Sequence, residues 1–132
     1  MKKKILIVAA DYYTDISNGL LNSAKKALHQ SFDFISVPGV FEIPITISKN
    51  IKKYDGFIAL GCVIKGETPH FDLISKAAID GIMKLSIEHK KPIGNGIITC
   101  LSHKQAVARQ KKGEEAAVAL LSVLKQSKVS TK

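Results

Sequence analysis

DGFIALGCVIKGETPHFD, residues Asp55 to Asp72, decides the fold class. Its first ten residues, Asp55 to Ile64, read as a strand with an almost unbroken apolar run. A strand half exposed to water alternates polar and apolar residues. One that does not alternate is covered on both faces, as in a parallel sheet between helical layers. The next residues are a helix start: Thr68 at the N-cap and Pro69 at the first helical position. Apolar residues at 71, 74, 78, 82 and 85 then carry one stripe along a helix from Pro69 to His89. A buried strand runs straight into a long helix.

The same alternation extends in both directions. Lys4 to Ala10 (KILIVAA) is another continuous apolar strand, and Ile16 to His29 carries apolar residues at 16, 20, 21, 24, 27 and 28. Asp33 to Val37 makes a short second strand closed by Pro38-Gly39. Phe41 to Ile51 reads as a helix, with Pro44 tolerable only in its first turn. Ile93 to Cys100 is the fourth strand. Ser102-His103-Lys104-Gln105 has the capping-box pattern and opens the last helical stretch, which Gly113 interrupts before Glu114 to Lys125 resumes it. Lys128 to Lys132 is a polar tail expected to fray. Four strands joined through helices run parallel with right-handed crossovers. The expectation is one domain over residues 1–132: a three-layer, flavodoxin-like α/β sandwich with strand order 2-1-3-4 and helices on both faces. In that order ligands bind beyond the strands' C-terminal ends, where the order reverses. The loops there are Ala10–Asp15, Pro38–Glu42, Lys65–His70 and Cys100–Ser102, the chemically richest stretches of the chain.

Composition narrows the classes. With 132 residues and 45% hydrophobic content, the chain buries a sizeable core without a metal or disulfide staple. Cys62 and Cys100 sit in apolar runs and read as reduced core thiols. No stretch approaches the roughly 20 apolar residues of a membrane span, and no leader pattern comes after Met1; the protein is expected in the cytoplasm. The net charge of +9 raises the question of nucleic acid. Lysines such as Lys25, Lys26, Lys52, Lys53, Lys90 and Lys91 are scattered over helix surfaces with few aromatics among them, so neither nucleic acid nor membrane is an expected partner. The charge instead favours gathering anionic metabolites. Of the 20 lysines and arginines only Arg109 is arginine, which suggests a place for a planar bidentate fork.

The loops supply the candidate chemistry. Lys65-Gly66-Glu67-Thr68 leads into a helix whose first N–H groups lack intrahelical partners; with the Thr68 hydroxyl they form a cradle for phosphate, or else a plainly capped turn. His70 stands beside it. Imidazoles ordinarily titrate near pH 6.5 and pass protons at neutral pH, worth about 10²–10⁴ in rate when well placed. His29, His89 and His103 lie at helix ends with no catalytic setting. In VPGVFEIP (Val37 to Pro44), Glu42 either caps the helix or accepts hydrogen bonds from a ligand's hydroxyls, and Gly39 allows close backbone approach. Tyr12 and Tyr13 either stack on a flat heterocycle or pack into the core. Together these describe a site for a phosphorylated and a flat, hydroxylated substrate, with one proton shuttle, no nucleophile triad, no metal and no cofactor.

VPGVFEIP, GCVIKGETPHFD, GNGIIT and KKGEEAA, in this order and spacing, resemble the 6,7-dimethyl-8-ribityllumazine synthase family over Ile5 to about Leu124. That resemblance implies a transferase joining 5-amino-6-(D-ribitylamino)uracil to 3,4-dihydroxy-2-butanone 4-phosphate, releasing phosphate and water, the penultimate step of riboflavin biosynthesis. It assigns proton transfer to His70 and phosphate binding to Glu67, Thr68 and Arg109, with Lys112 near the phosphate. Val40, Phe41 and Glu42 hold the pyrimidine and ribityl chain. The backbone of Cys62, Val63 and Ile64 reads the pyrimidine edge, and Tyr12 takes the stacking position. It further implies pentamers with sites between subunits, Asn95 and Arg109 acting on the adjacent chain's substrate.

The chain departs from the family pattern in three places. Asp11 stands where many members have arginine, and Asn95 where phenylalanine is common. The first strand begins almost at Met1, so the expectation is a chain without the N-terminal strand that many members add to a neighbour's sheet, which leaves sixty-subunit shells open. Two rivals fit the residues less well. An aldolase-like enzyme would use Lys65 as a Schiff-base nucleophile, and a non-catalytic flavin- or lumazine-binding member of the fold would have no use for a proton shuttle beside a phosphate cradle.

Overall fold

In the computed structural model, which describes residues 2–126 and 129–130, the central strand β1 is Ile5–Ala10, with all six residues buried. Alternate side chains leave it in opposite directions. Ile5, Ile7 and Ala9 join one apolar cluster; Leu6, Val8 and Ala10 join another across the sheet. Both clusters must be shielded, which is why the run carries no polar residue.

The shielding comes from helices on each side. The first face is covered by α1 (Thr14–Leu28), through Ile16, Leu20, Ala24 and Leu28, and by α5 (Lys112–Leu124), through Ala116, Ala117 and Leu120. The second is covered by α2 (Ile43–Asn50), through Ile43 and Ile47, and by α3 (His70–His89), through Ala78 and Ile82. Strands β2 (Asp33–Val37), β3 (Gly56–Ile64) and β4 (Ile93–Cys100) complete a parallel sheet in the order β2-β1-β3-β4. Ile5 stands opposite Gly56, Leu6 opposite Asp33 and Phe57 opposite Ile93. This is the three-layer α/β architecture and strand order read from the sequence.

The differences are local. A 3₁₀ turn, Val40–Glu42, precedes α2, so the helix expected from Phe41 begins at Ile43 with Pro44 in its first turn. Helix α3 begins at His70, one residue late, because the Pro69 carbonyl accepts the first bonds, from Asp72 and Leu73. Thr68 still helps: its hydroxyl accepts the His70 N–H at 3.4 Å. The break in the last helical stretch falls at residues 109–111, between α4 (His103–Ala108) and α5, and not at Gly113. Gly113 is a glycine for another reason. A Cβ there would lie 2.1 Å from the Leu20 carbonyl oxygen, where α1 and α5 meet backbone to backbone. Lys128, Thr131 and Lys132, part of the tail expected to fray, lie outside the described residues. Both cysteines are buried and unpaired, and no helix among the described residues is long and apolar enough to cross a membrane.

Candidate active site

At the C-terminal edge of the sheet two backbone bonds set the frame. The Asp11 N–H donates to the Val37 carbonyl at 2.9 Å, tying the ends of β1 and β2, and the Lys65 N–H donates to the Cys100 carbonyl at 2.9 Å, tying β3 to β4. Within this frame opens a cavity of about 660 Å³, well inside the range of small-molecule sites. Three loops build it. Tyr12 and Tyr13 come from the end of β1, Gly39 to Glu42 from the end of β2, and Cys62 to Ile64 with Gly66, Thr68 and His70 from the end of β3.

The two tyrosines divide the readings open to them. Their rings meet edge to face, 4.9 Å apart at 82°. Tyr13 packs against the α1 side of the core, whereas Tyr12 is 72% exposed and presents a free face. Glu42 resolves likewise. Neither the 3₁₀ turn nor α2 has a side-chain cap, and among the described residues no hydrogen bond reaches the Glu42 carboxylate. Its Oε1 lies 3.2 Å from where a Cβ on Gly39 would sit, so Gly39 makes room for it. The carboxylate thus lines the cavity without serving as a helix cap.

The floor is tightly built. A Cβ at Gly61 would stand 2.7 Å from Val40 Cγ2 and 3.1 Å from the Ala10 Cβ, so the three strand ends close without a gap. Burial, then the neighbouring Cys100 and Asp15, push the Cys62 thiol up to about 12. Burial first, then Tyr12 and Cys62, also raises the Tyr13 phenol above its ordinary range. Neither gives up a proton near neutrality, which leaves His70, exposed at the first position of α3, as the imidazole on the cavity wall. No group of three or more His, Cys, Asp or Glu side chains gathers as a metal site among the described residues.

Of the candidate residues, Tyr12, Val40, Phe41, Glu42, Cys62, Val63, Ile64, Thr68 and His70 come together here. Glu67, Asn95, Arg109 and Lys112 do not line the cavity. Glu67 is exposed in the same turn. Asn95 is exposed on β4, its Oδ1 accepting the Ile97 N–H at 3.0 Å. Arg109 ends α4, its Nη1 donating to the Gln105 carbonyl at 3.4 Å, and Lys112 begins α5. The cavity also uses Phe71 and Ile74, which in the sequence read only as members of the α3 core stripe. Their place in the first two turns of a helix that starts at the site was the available signal.

A family profile described as 6,7-dimethyl-8-ribityllumazine synthase matches residues 2–128. The chain belongs to the 6,7-dimethyl-8-ribityllumazine synthase family. Relatives bearing that name include one from Agrobacterium fabrum, 41% identical over 86% of this chain and 84% of its own length. One from Bartonella bacilliformis is 44% identical over 84% and 78%. A Rhodopseudomonas palustris protein named 6,7-dimethyl-8-ribityllumazine synthase 1 is 42% identical over 92% and 84%. Members of the lumazine synthase family are transferases of riboflavin biosynthesis, the class that the sequence motifs imply.

Proposed function

We propose that this chain condenses 5-amino-6-(D-ribitylamino)uracil with 3,4-dihydroxy-2-butanone 4-phosphate to give 6,7-dimethyl-8-ribityllumazine, phosphate and water, in a cavity that a neighbouring copy completes. The observation that carries the reading is the division of the candidate residues. The aromatic face of Tyr12, the free Glu42 carboxylate and His70 beside the Thr68 turn share one cavity, while Asn95, Arg109 and Lys112 stand outside it.

In this reading the pyrimidine stacks on Tyr12 against Val40 and Phe41, its edge bonded by backbone at Cys62 to Ile64, and the ribityl hydroxyls donate to Glu42. The butanone phosphate sits at the Gly66–Thr68 turn, with Glu67 at its margin, where the free amides at the start of α3 favour an anion. The substrate's own amine forms the imine, so Lys65 carries no covalent step. His70 moves the protons that phosphate elimination and ring closure require. The guanidinium of Arg109, with Lys112 and Asn95 alongside, comes from the adjacent protomer. Two exposed apolar faces support such an assembly. One is the outer side of α3 with Leu73, Met83 and Ile87; the other, on α4, α5 and the preceding loop, carries Leu101, Val107 and Val118. Different patches that meet head to tail close into a ring, here a pentamer. The setting is cytoplasmic, and the partners are these small molecules and further copies of the chain.

Mixing both substrates with the protein while following lumazine absorbance and released phosphate tests the reading. His70→Ala is expected to slow turnover by about 10²–10⁴ with binding largely kept, and Arg109→Ala to raise KM for the phosphate substrate. Full activity in both variants overturns the assignment.

A further inference from the structure

Helix α4 is six residues long and buries a single side chain, Ala106. A helix this short has no stability of its own, so its direction depends on its few tethers. Its N-terminus has two. The Ser102 hydroxyl accepts the Gln105 N–H at 3.2 Å, and the Gln105 Oε1 accepts the Leu101 N–H at 2.8 Å; both are local. The C-terminus is tied to α5, the Arg109 carbonyl accepting the Lys112 N–H at 3.1 Å, and a further tether at the N-terminus is long-range. His103 Nε2 lies 2.9 Å from Asp15 Oδ2, joining the first residue of α4 to the first turn of α1. Among the described residues the lysine–carboxylate pairs, Lys76–Asp80 and Lys84–Glu88, are both within α3, whereas the His103–Asp15 contact bridges separate elements.

We infer that the His103–Asp15 pair is a positioning device for the phosphate substrate, setting where α4 delivers Arg109. The inference rests on the role proposed above for Arg109. Arg109 is the C-cap of α4 and lies six residues beyond His103, about 9 Å along the axis. With Ala106 as the only buried pivot, three residues and about 4.5 Å from the C-cap, a tilt of about 10° displaces the C-cap by roughly 0.8 Å. Displacements of that order at a substrate clamp are felt in catalysis. Asp15 also lies two residues beyond Tyr13, so the same pair joins one protomer's own stacking wall to the helix that serves the adjacent site. Both partners are about half exposed, which keeps the expected effect modest.

Steady-state kinetics on the assembled enzyme separate positioning from general support. His103→Phe keeps a ring but loses the bond; it is expected to raise KM for the butanone phosphate about two- to fivefold. KM for the ribitylaminouracil, kcat and Tm should stay near wild type. His103→Gln, whose amide nitrogen replaces Nε2, restores the KM. Asp15→Ala reproduces the His103→Phe effect, and the double variant is no worse than either single one. Unchanged KM in His103→Phe, or both KM values and Tm moving together, overturns the inference. If Arg109→Ala also leaves the phosphate KM unchanged, the underlying role of Arg109 fails first and takes this inference with it.

Discussion

The two helical layers do unequal work. On one side α1 and α5 press against each other and the sheet, burying Ile16, Leu20, Ala24, Leu28, Ala116, Ala117 and Leu120. On the other, α3 is the longest helix of the described residues at 20 residues, yet it buries only Ala78 and Ile82. Leu73, Met83 and Ile87 point away from the sheet, 66%, 58% and 68% exposed. At 3.6 residues per turn these three fall within about 80° of one another, on a face nearly opposite the buried Ala78 and Ile82, with Lys76, Asp80 and Lys84 among them. The first layer buries more of its apolar residues within the chain, although Val118 of α5 stays exposed; the second leaves most of its long helix uncovered. Substitutions in the two layers should therefore separate folding from assembly.

The largest loss is expected at the α1–α5 contact. Gly113→Ala places a methyl 2.1 Å from the Leu20 carbonyl and 3.1 Å from the Ala24 nitrogen, both backbone atoms that cannot rotate aside. The helices must part, at a cost of about 3 kcal/mol, the upper end of ordinary overpacking. Urea denaturation should show the midpoint falling with an unchanged slope. A shift below about 0.5 kcal/mol would mean that this layer is looser than its contacts imply.

The sequence revealed one of these layers better than the other. Continuous apolar runs at Lys4–Ala10 and Asp55–Ile64 made the parallel sheet legible, because only a strand covered twice can omit polar residues. Nine cavity residues were legible too: strand order places three loops at one edge, and the family resemblance singled out Val40, Phe41 and Cys62 to Ile64 within them. Less visible was anything set by tertiary contact. Gly113 looked like a helix breaker because the carbonyl it accommodates lies on α1, far away in sequence. Phe71 and Ile74 looked like core because one stripe serves both sheet and cavity at the start of α3. His103 looked idle because its partner, Asp15, is 88 residues away. The outer stripe of α3 was hidden among Lys76, Asp80 and Lys84, whose charges break the periodicity.

The cavity floor gives an intermediate effect, readable through pH. Cys62 lines the site yet is 7% exposed, and burial with the Cys100 and Asp15 neighbours raises its thiol from 9.0 to about 12. In the unfolded chain the same thiol ionises first as pH rises. Below its ordinary range Cys62 therefore leaves stability unchanged, and above it stability declines progressively towards the folded value. Between pH 8 and 10 the loss should be about 1 kcal/mol, one pKa unit being worth about 1.4. Cys62→Ala should flatten that part of a urea-midpoint profile. Iodoacetamide at pH 8 should label Cys62 only on unfolding; rapid labelling of the native protein would show that the floor admits solvent.

The smallest folding effect carries the most functional meaning. Ile87 lies 13 residues beyond Ile74, about 20 Å along α3, too far to touch the cavity it helps complete in the proposed ring. It is exposed in the single chain, so Ile87→Glu should change that chain's folding free energy by no more than about 0.5 kcal/mol. Placed in an apolar contact between copies, however, the same carboxylate is buried unpaired, a cost of several kcal/mol that favours dissociation. Sedimentation should then show a smaller species with unaltered circular dichroism. Its activity should fall with assembly, because a lone chain keeps Tyr12, Glu42 and His70 in one cavity but has Arg109 outside it. Adding an excess of His70→Ala protein, whose intact α3 and α4 faces can recruit the variant into mixed rings, should recover part of that activity. A dispersed Ile87→Glu chain with full turnover would instead mean that one protomer brings its own arginine to the phosphate, and that α3 leaves its stripe exposed for some other purpose.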